Sequence, residues 1–532
     1  MSAARDVIVI GGGHNGLITA FYLARAGRKP LVLEGRDTVG GAATTQEFHP
    51  GFRCSTLAHS AGPLHPSILQ DMRLHEYGLS WVEPSVALFS PAPDGRALLL
   101  HRSTAESARE IGKLSPHDAA SYPEFATMLA RFSSLVGRIL SLTPPAIDKP
   151  STEDLWHLLG VGRQLRGLGK HDMMRLFRFG PMAVADFVSE FFDTELLRAA
   201  IAARGVLGAS MGPWSAGSTA QLLLLAAADP HPSGCLVFPR GGMGALSEAL
   251  AAAAVRAGAE IRTSAPVVRI LVKDGAAAGV ALASGEEISA KLVVSSADPH
   301  RTLLGLVDPV NLEPGFATKM QHYRVPGTLA KINLALDGLP AFTAAANFGG
   351  SAPPETLLSG RILIAPEIDY LERAFDYSKY GEYSSAPFLD IAIPSLSDTS
   401  LAPAGKHVMS IYAQFAPYRL RNSDWRSAGS AFADVVLRTL AEYSPGLPAR
   451  MLAHQVITPL DLEQDYGLTG GHIFHGELSL DQLFTMRPIL GWARYATPIR
   501  SLFLCGSGTH PGNGLTGVSA ANASREIIRS LK

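Results

Sequence analysis

Three glycines and one acid carry the first chemical information in this 532-residue chain. Gly11, Gly13 and Gly16 stand in the spacing G-x-G-x-x-G, directly after the apolar run Val7–Ile10 and before a stretch in which Leu17, Phe21 and Ala24 share one helical face. Glycines at these places let a strand turn sharply into a helix, let backbone N–H groups approach a pyrophosphate, and let helix and strand pack closely. The helix N-terminus then presents its partial positive charge to the phosphates. A second apolar run, Leu31–Leu33, ends in Glu34, where a carboxylate accepts hydrogen bonds from both ribose hydroxyls of an adenosine and repels a 2′-phosphate. Asn15 lies in the same turn and is counted with the nucleotide cradle. His14 beside it reads as a local hydrogen-bonding group and not as a catalyst.

A second glycine turn follows at once: Gly35, Arg36, then Val39-Gly40-Gly41-Ala42. A simple NAD domain has no need of it. Far along the chain, Leu502–Cys505 is another apolar strand, followed by the glycine-rich stretch Gly506–Gly517 and a helix. Such a strand–turn–helix lays N–H groups and a positive helix end against an anionic part of a large cofactor, such as the N1–C2=O edge of a reduced flavin. A cofactor gripped from both ends of the chain reads as FAD.

On these residues the sequence resembles the phytoene-dehydrogenase-like flavoproteins of the amine-oxidase/phytoene-desaturase superfamily, and among them the subgroup named pyridine nucleotide-disulphide oxidoreductase domain-containing proteins. The stretches that carry the resemblance are VIVIGGGHNGL with Glu34, FPRGGMGALSEAL at 238–250, VVSSADP at 293–299, IPSLSDTSLAPAGKHV at 393–408, IFHGELSLDQLFTMRP at 473–488 and the late GSGTHPGNGLTG. The resemblance implies that Gly11, Gly13, Gly16 and Glu34 hold the ADP half, and that Arg36, Gly40, Gly41 and Ala42 pass along the ribityl-pyrophosphate. It also implies that Val267, in the strand after the helix at 245–257, meets the adenine through its backbone and that Gly506, Leu515 and Thr516 lie by the isoalloxazine. Many relatives carry Arg where this chain has Ala42, so that charge is missing here. No Cys-x-x-Cys pair exists for dithiol exchange, and no cysteine stands where some relatives attach FAD, so noncovalent FAD is expected. The activity implied is FAD-dependent desaturation of a largely apolar substrate by hydride transfer to flavin N5. Amine or amide oxidation, a redox-neutral isomerase or saturase, and a flavin-binding scaffold with little activity stand as alternatives.

The elements that must position these motifs define an α/β fold: a discontinuous Rossmann-like FAD-binding domain with an inserted α+β substrate domain that carries a mixed or antiparallel sheet and a helical cap. The expected boundaries are 1–75, 232–305 and 490–532 for the flavin domain, and 76–231 and 306–489 for the substrate domain. Val86–Ser90 and Ala97–His101 flank Asp94-Gly95, a hairpin signal, and strands are predicted at Leu329–Leu336, Phe388–Ile393 and Val408–Phe415. From Pro144-Pro145 to Pro232 the pattern turns helical. Within it, residues 156–179 are basic and amphipathic, which fits either a solvated cap or peripheral contact with an anionic membrane. Gly349–Glu355 reads as a loop able to gate access.

Composition narrows the partners. Net charge is −1 with 17% charged and 47% hydrophobic residues, so general nucleic-acid binding is not expected. Cys54, Cys235 and Cys505 are too scattered for a disulfide framework, no signal-peptide core precedes Gly11, and no apolar stretch approaches the roughly 18 residues that span a bilayer. A cytoplasmic protein, peripheral to a membrane at most and free to form homo-oligomers, is expected. His472, His475 and Glu477 lack the spacing of a metal site, so no metal is expected, and neither a Gly-x-Ser-x-Gly elbow nor a Walker loop is present. The flavin is then the principal reactive group. Trp492, Tyr495 and His510, close in sequence to the late glycine motif, are the candidates for the cavity wall beside it.

Overall fold

The computed structural model describes residues 4–62, 64–148, 150–348, 353–512 and 514–531. Five short strands form a wholly parallel sheet in the order Leu502–Leu504, Val293–Ser295, Val7–Ile10, Pro30–Leu33 and Glu260–Arg262. Both of its faces are covered. Val7, Val9 and Val32 meet the helices His14–Arg25, Met243–Ala257 and Val518–Ser530 through Leu17, Phe21, Leu250 and Ile527. Ile8, Ile10, Leu31 and Leu33 point the other way, onto Ile270, Val280 and Leu303. Uninterrupted aliphatic runs are what a strand buried on two sides requires.

Ile270 and Val280 belong to a separate antiparallel sheet, Val267–Lys273, Ala276–Leu282 and Glu287–Ser289. Val267, expected in the strand directly after helix Met243–Ala257, therefore lies one strand further on. The strand that does follow the helix is Glu260–Arg262, whose three residues are too short and polar to show an alternating pattern.

The larger sheet has seven strands in the order Met451–Ile457, Leu329–Leu336, His407–Gln414, Phe388–Ala392, Arg361–Ile364, Val86–Pro91 and Ala97–His101. It is mixed: Arg361–Ile364 runs parallel to Val86–Pro91, and the other pairs are antiparallel. The anticipated hairpin and three strands are present. One face of the sheet buries Ile332, Ile364, Ile391 and Ile411 against Phe432, Val436 and Leu440 of helix Trp425–Tyr443.

A helical layer follows the hairpin. Its longest member, Pro116–Leu140, starts at Ser115, whose side chain accepts from Asp118 N, and lies before the Pro144-Pro145 break at which the helical pattern was expected to begin. Phe125 and Phe132 on it pack with Phe187 and Phe192. Helices Thr152–Gly167 and Lys170–Phe179 lie outermost, leaving Trp156 72% and Leu159 60% exposed. Among the described residues no helix is long and apolar enough to cross a membrane. Of the suggested gating loop, residues 349–352 lie outside the described residues.

The late glycine stretch is held by a buried cation. Arg487 is fully buried, and its guanidinium donates to six backbone carbonyls: Phe474, Gly476, Glu477 and Gln482 on one side, Ser507 and Thr509 on the other, at 2.8–3.4 Å. The Tyr323 ring lies 5.9 Å from its central carbon. A Cβ on Gly512 would stand 2.3 Å from Arg487 Nε, so only glycine fits against the guanidinium. Replacing Arg487 by Met removes a charge that those carbonyls solvate and leaves Glu477 O and Thr509 O with one long hydrogen bond each, from Gln482 and Ser519, and the others without this donor, a loss of about 3–5 kcal/mol. Arg487→Met is expected to lower the denaturation midpoint sharply, and Arg487→Lys, with three donors in place of five, to recover only part of it.

Candidate functional site

A cavity of about 450 Å³ reaches from the parallel sheet, at Ile10, Gly11, Glu34 and Val267, to the seven-stranded sheet, at Lys331, Asp390 and Tyr412. Its first end is the glycine turn. A Cβ on Gly16 would lie 2.0 Å from Gly11 O, so helix His14–Arg25 crosses the turn at a distance only glycine allows. That helix starts at Gly13 with no side-chain cap and no acid in its first turn, so its N–H groups and positive end are left for a ligand. The turn at Gly40–Gly41 packs on Gly13, and Arg36 donates from Nη2 to Gly41 O at 2.7 Å.

Glu34 organises the same end. Its Oε2 accepts from Gly12 N at 2.7 Å and its Oε1 from Arg36 N at 3.0 Å, which fixes the carboxylate at the strand end. Asn15 Oδ1 and His14 Nε2, both on cavity-lining residues, are buried without partners, and burial holds the His14 imidazole neutral with a pKa of about 4. An uncapped helix end for phosphate, a carboxylate for ribose hydroxyls and unpaired polar atoms beside them fit the ADP half of FAD. Arg36, Gly41, Ala42 and Val267 continue the lining.

Gly514, Leu515 and Thr516 line the same cavity as Ala58–Gly62. Gly506 does not join them. A Cβ there would meet Ser296 O at 2.3 Å, so this glycine is required for strand-to-strand contact instead. Gly16 and Gly40 likewise sit behind the lining and shape it.

The three candidate wall residues are also placed elsewhere. Trp492 packs edge-on to Phe316, Tyr495 is buried with its hydroxyl donating to His510 O at 3.0 Å, and His510 Nε2 lies 3.1 Å from Leu140 O. None lines the cavity. The C-terminus of helix Pro116–Leu140 draws His510 away from it. His472, His475 and Glu477 do not converge either, because Arg324 takes the Glu477 carboxylate at 2.7 Å.

Sequence reasoning missed the far end. Along Leu329–Leu336, Phe388–Ala392 and His407–Gln414 the residues that alternate with the helix-facing ones are Lys331, Asp390, Ser410 and Tyr412. Register sets Lys331 opposite Tyr412 and Tyr412 opposite Asp390, a polar row across three strands. Lys331 Nζ donates to Ser410 Oγ and lies 4.7 Å from the Tyr412 ring centre. The Tyr412 hydroxyl donates to Leu57 O at 2.8 Å, and its ring stacks on His59 at 4.0 Å. Arg361, on the next strand, lies 3.2 Å from Asp390. Burial pulls the Lys331 pKa down to about 8, and burial beside Lys331 and Arg361 holds His59 neutral. Cys235, also on the lining, has its thiol pushed up to about 12 by burial and then by Asp229, which leaves it a protonated, poor nucleophile.

Glu34→Ala removes both the ribose acceptor and the partner of Gly12 N. FAD affinity is expected to fall about 10- to 100-fold, the scale of one charge-assisted hydrogen bond, read as flavin retained after gel filtration.

Comparison with known proteins agrees with this geometry. Residues 16–385 match the family described as flavin containing amine oxidoreductase. Pyridine nucleotide-disulfide oxidoreductase domain-containing protein 2 of Rattus norvegicus is 34% identical, covering 99% of this chain and 94% of that protein. A limonene dehydrogenase chain of Castellaniella defragrans is 28% identical over 99% of this chain and 95% of its own length. Among solved structures, an oxidoreductase from Methanosarcina mazei superposes with a TM-score of 0.59 at 17% identity, covering 99% of this chain and 100% of that one. This chain belongs to the flavin containing amine oxidoreductase family, and FAD is its cofactor.

Proposed function

We propose that the protein dehydrogenates a carbon–carbon bond in a substrate whose body is largely apolar. The observation that carries this reading is that the cavity holding Gly514–Thr516 is also walled by Leu207, Leu225, Leu329, Ile473 and Phe474, which form an apolar chamber. Bound FAD would supply a hydride acceptor at N5, and the second hydrogen would leave the adjacent carbon as a proton that passes to solvent as the double bond forms. The chain supplies the rest: the aliphatic walls exclude water and hold an apolar segment in place, which is how alignment of a C–H bond lowers a barrier. The late motif, pinned by Arg487, and the polar sheet row, pinned by Tyr412, both contribute residues to the lining of that cavity. A relative named for limonene dehydrogenation supports an apolar substrate class.

Anaerobic mixing with apolar alkene or polyene substrates is expected to bleach the flavin absorption band. Bleaching by amines alone would replace desaturation with amine oxidation. Ala228, on the chamber wall after helix Ser218–Ala226, tests the location. Ala228→Trp fills the chamber and is expected to slow anaerobic flavin reduction at least ~100-fold, the scale of lost alignment, with FAD content unchanged.

A further inference from the structure

The chamber is not apolar throughout. Its sheet-side end gathers Lys331, Arg361, Arg204, Asp390 and Asp229 on the cavity lining. Lys331 is fully buried and Asp390 is 2% exposed. With His59 and His231 both held neutral by burial, three cations face two carboxylates, and one positive charge remains without a counter-ion.

The donors are unevenly used. Arg204 is spent on the carbonyls of Leu225, Asp229 and His231. Lys331 has three N–H donors and makes one hydrogen bond, to Ser410. Arg361 has five and makes one, from Nη1 to Ser233 O at 2.6 Å. Its Nε and Asp390 Oδ1 lie 3.2 Å apart as an ion pair, yet both are buried without an aligned hydrogen bond, as is His59 Nδ1. Buried ionic groups left short of partners are costly, and a cavity wall is where a ligand completes them.

We infer that Arg361 and Lys331 form a carboxylate-binding subsite, so that the substrate is an acid with an apolar body. The inference rests on the dehydrogenase reading and deepens it by naming the substrate's polar end. One surplus charge matches one carboxylate, whereas a phosphate dianion overshoots it. The spare donors of a guanidinium fork and an ammonium suit two carboxylate oxygens. An alkylammonium, the charged form of an amine, would meet two like charges in a low-dielectric chamber and is disfavoured. The aliphatic walls take the remainder of the molecule.

The test uses the FAD-loaded protein and three ligands of one chain length: decanoate, decan-1-ol and decylamine, titrated by calorimetry and by perturbation of the flavin spectrum. Decanoate is expected to bind at least ~10-fold tighter than decan-1-ol, with decylamine weakest. Arg361→Met is expected to erase that preference while leaving decan-1-ol affinity within about twofold, and Arg361→Lys to retain part of it. Lys331→Met, read in parallel, reports on the same preference if Arg361→Met fails to fold. No binding of decanoate, equal binding of acid and alcohol, or a preference untouched by the variants that fold overturns the inference. The outcomes also separate the two readings. Flavin bleaching by apolar substrates without an acid preference removes the subsite and leaves the dehydrogenase. Acid-selective binding with no bleaching by any apolar substrate does the reverse.

Discussion

A buried guanidinium that reaches no carboxylate sets the terms for the cofactor side of this protein. Arg487 spends its donors on carbonyls from two chain segments, 474–482 and 507–509, and so staples the late glycine stretch to a loop that borders the cavity. Desolvating that charge is expensive, and only many convergent carbonyl dipoles offset it. Convergence of so much backbone on one group leaves no room for side chains, which explains the glycine at 512. The density of glycine in this motif is thus first a packing requirement. Its consequence for the site is indirect: with 507–512 fixed, Gly514, Leu515 and Thr516 are delivered to the cavity.

The opposite wall is built by a different rule. A strand shows alternate residues to its two faces. In the three central strands of the seven-stranded sheet the face that seats helix Trp425–Tyr443 is apolar, so Lys331, Asp390 and Tyr412 project to the other face. Lys331, Tyr412 and Asp390 do so in register. The core therefore pins the functional row: a slip of one residue would carry Lys331 and Asp390 into the aliphatic layer, at the cost of burying unpaired charges there.

The same rules explain what can be read from sequence. The glycine spacing, its flanking strand and helix, and Glu34 are local, and they predict a local object that is present in detail, including the acid at the strand end. Strands Leu329–Leu336 and His407–Gln414 are legible because they are long and apolar. Their polar residues are visible too, but which face meets a cavity depends on pairing with strands such as Arg361–Ile364, four residues with no alternation to reveal them. The expectation for Trp492, Tyr495 and His510 fails for the converse reason. Proximity in sequence to the late motif does not bring a side chain to the motif's ligand, and His510 is claimed by Leu140, hundreds of residues away.

Membership of a family named for amines leaves the substrate open, because the shared part is the FAD cradle and the sheets that carry it. In this chain the cradle is made of backbone, the Glu34 carboxylate and the side chains of His14, Asn15 and Arg36, features indifferent to what else lines the cavity. Charge beyond the cradle is what selects. Three cations set against two acids, with Lys331, Arg204 and Asp390 buried, act on any ligand charge with a strength that exposed residues cannot match. A substrate that brought a further positive charge would add to an existing imbalance, while one that brought a negative charge would remove it. The discriminating information therefore lies in the alternate residues of three strands and one arginine at the start of a fourth.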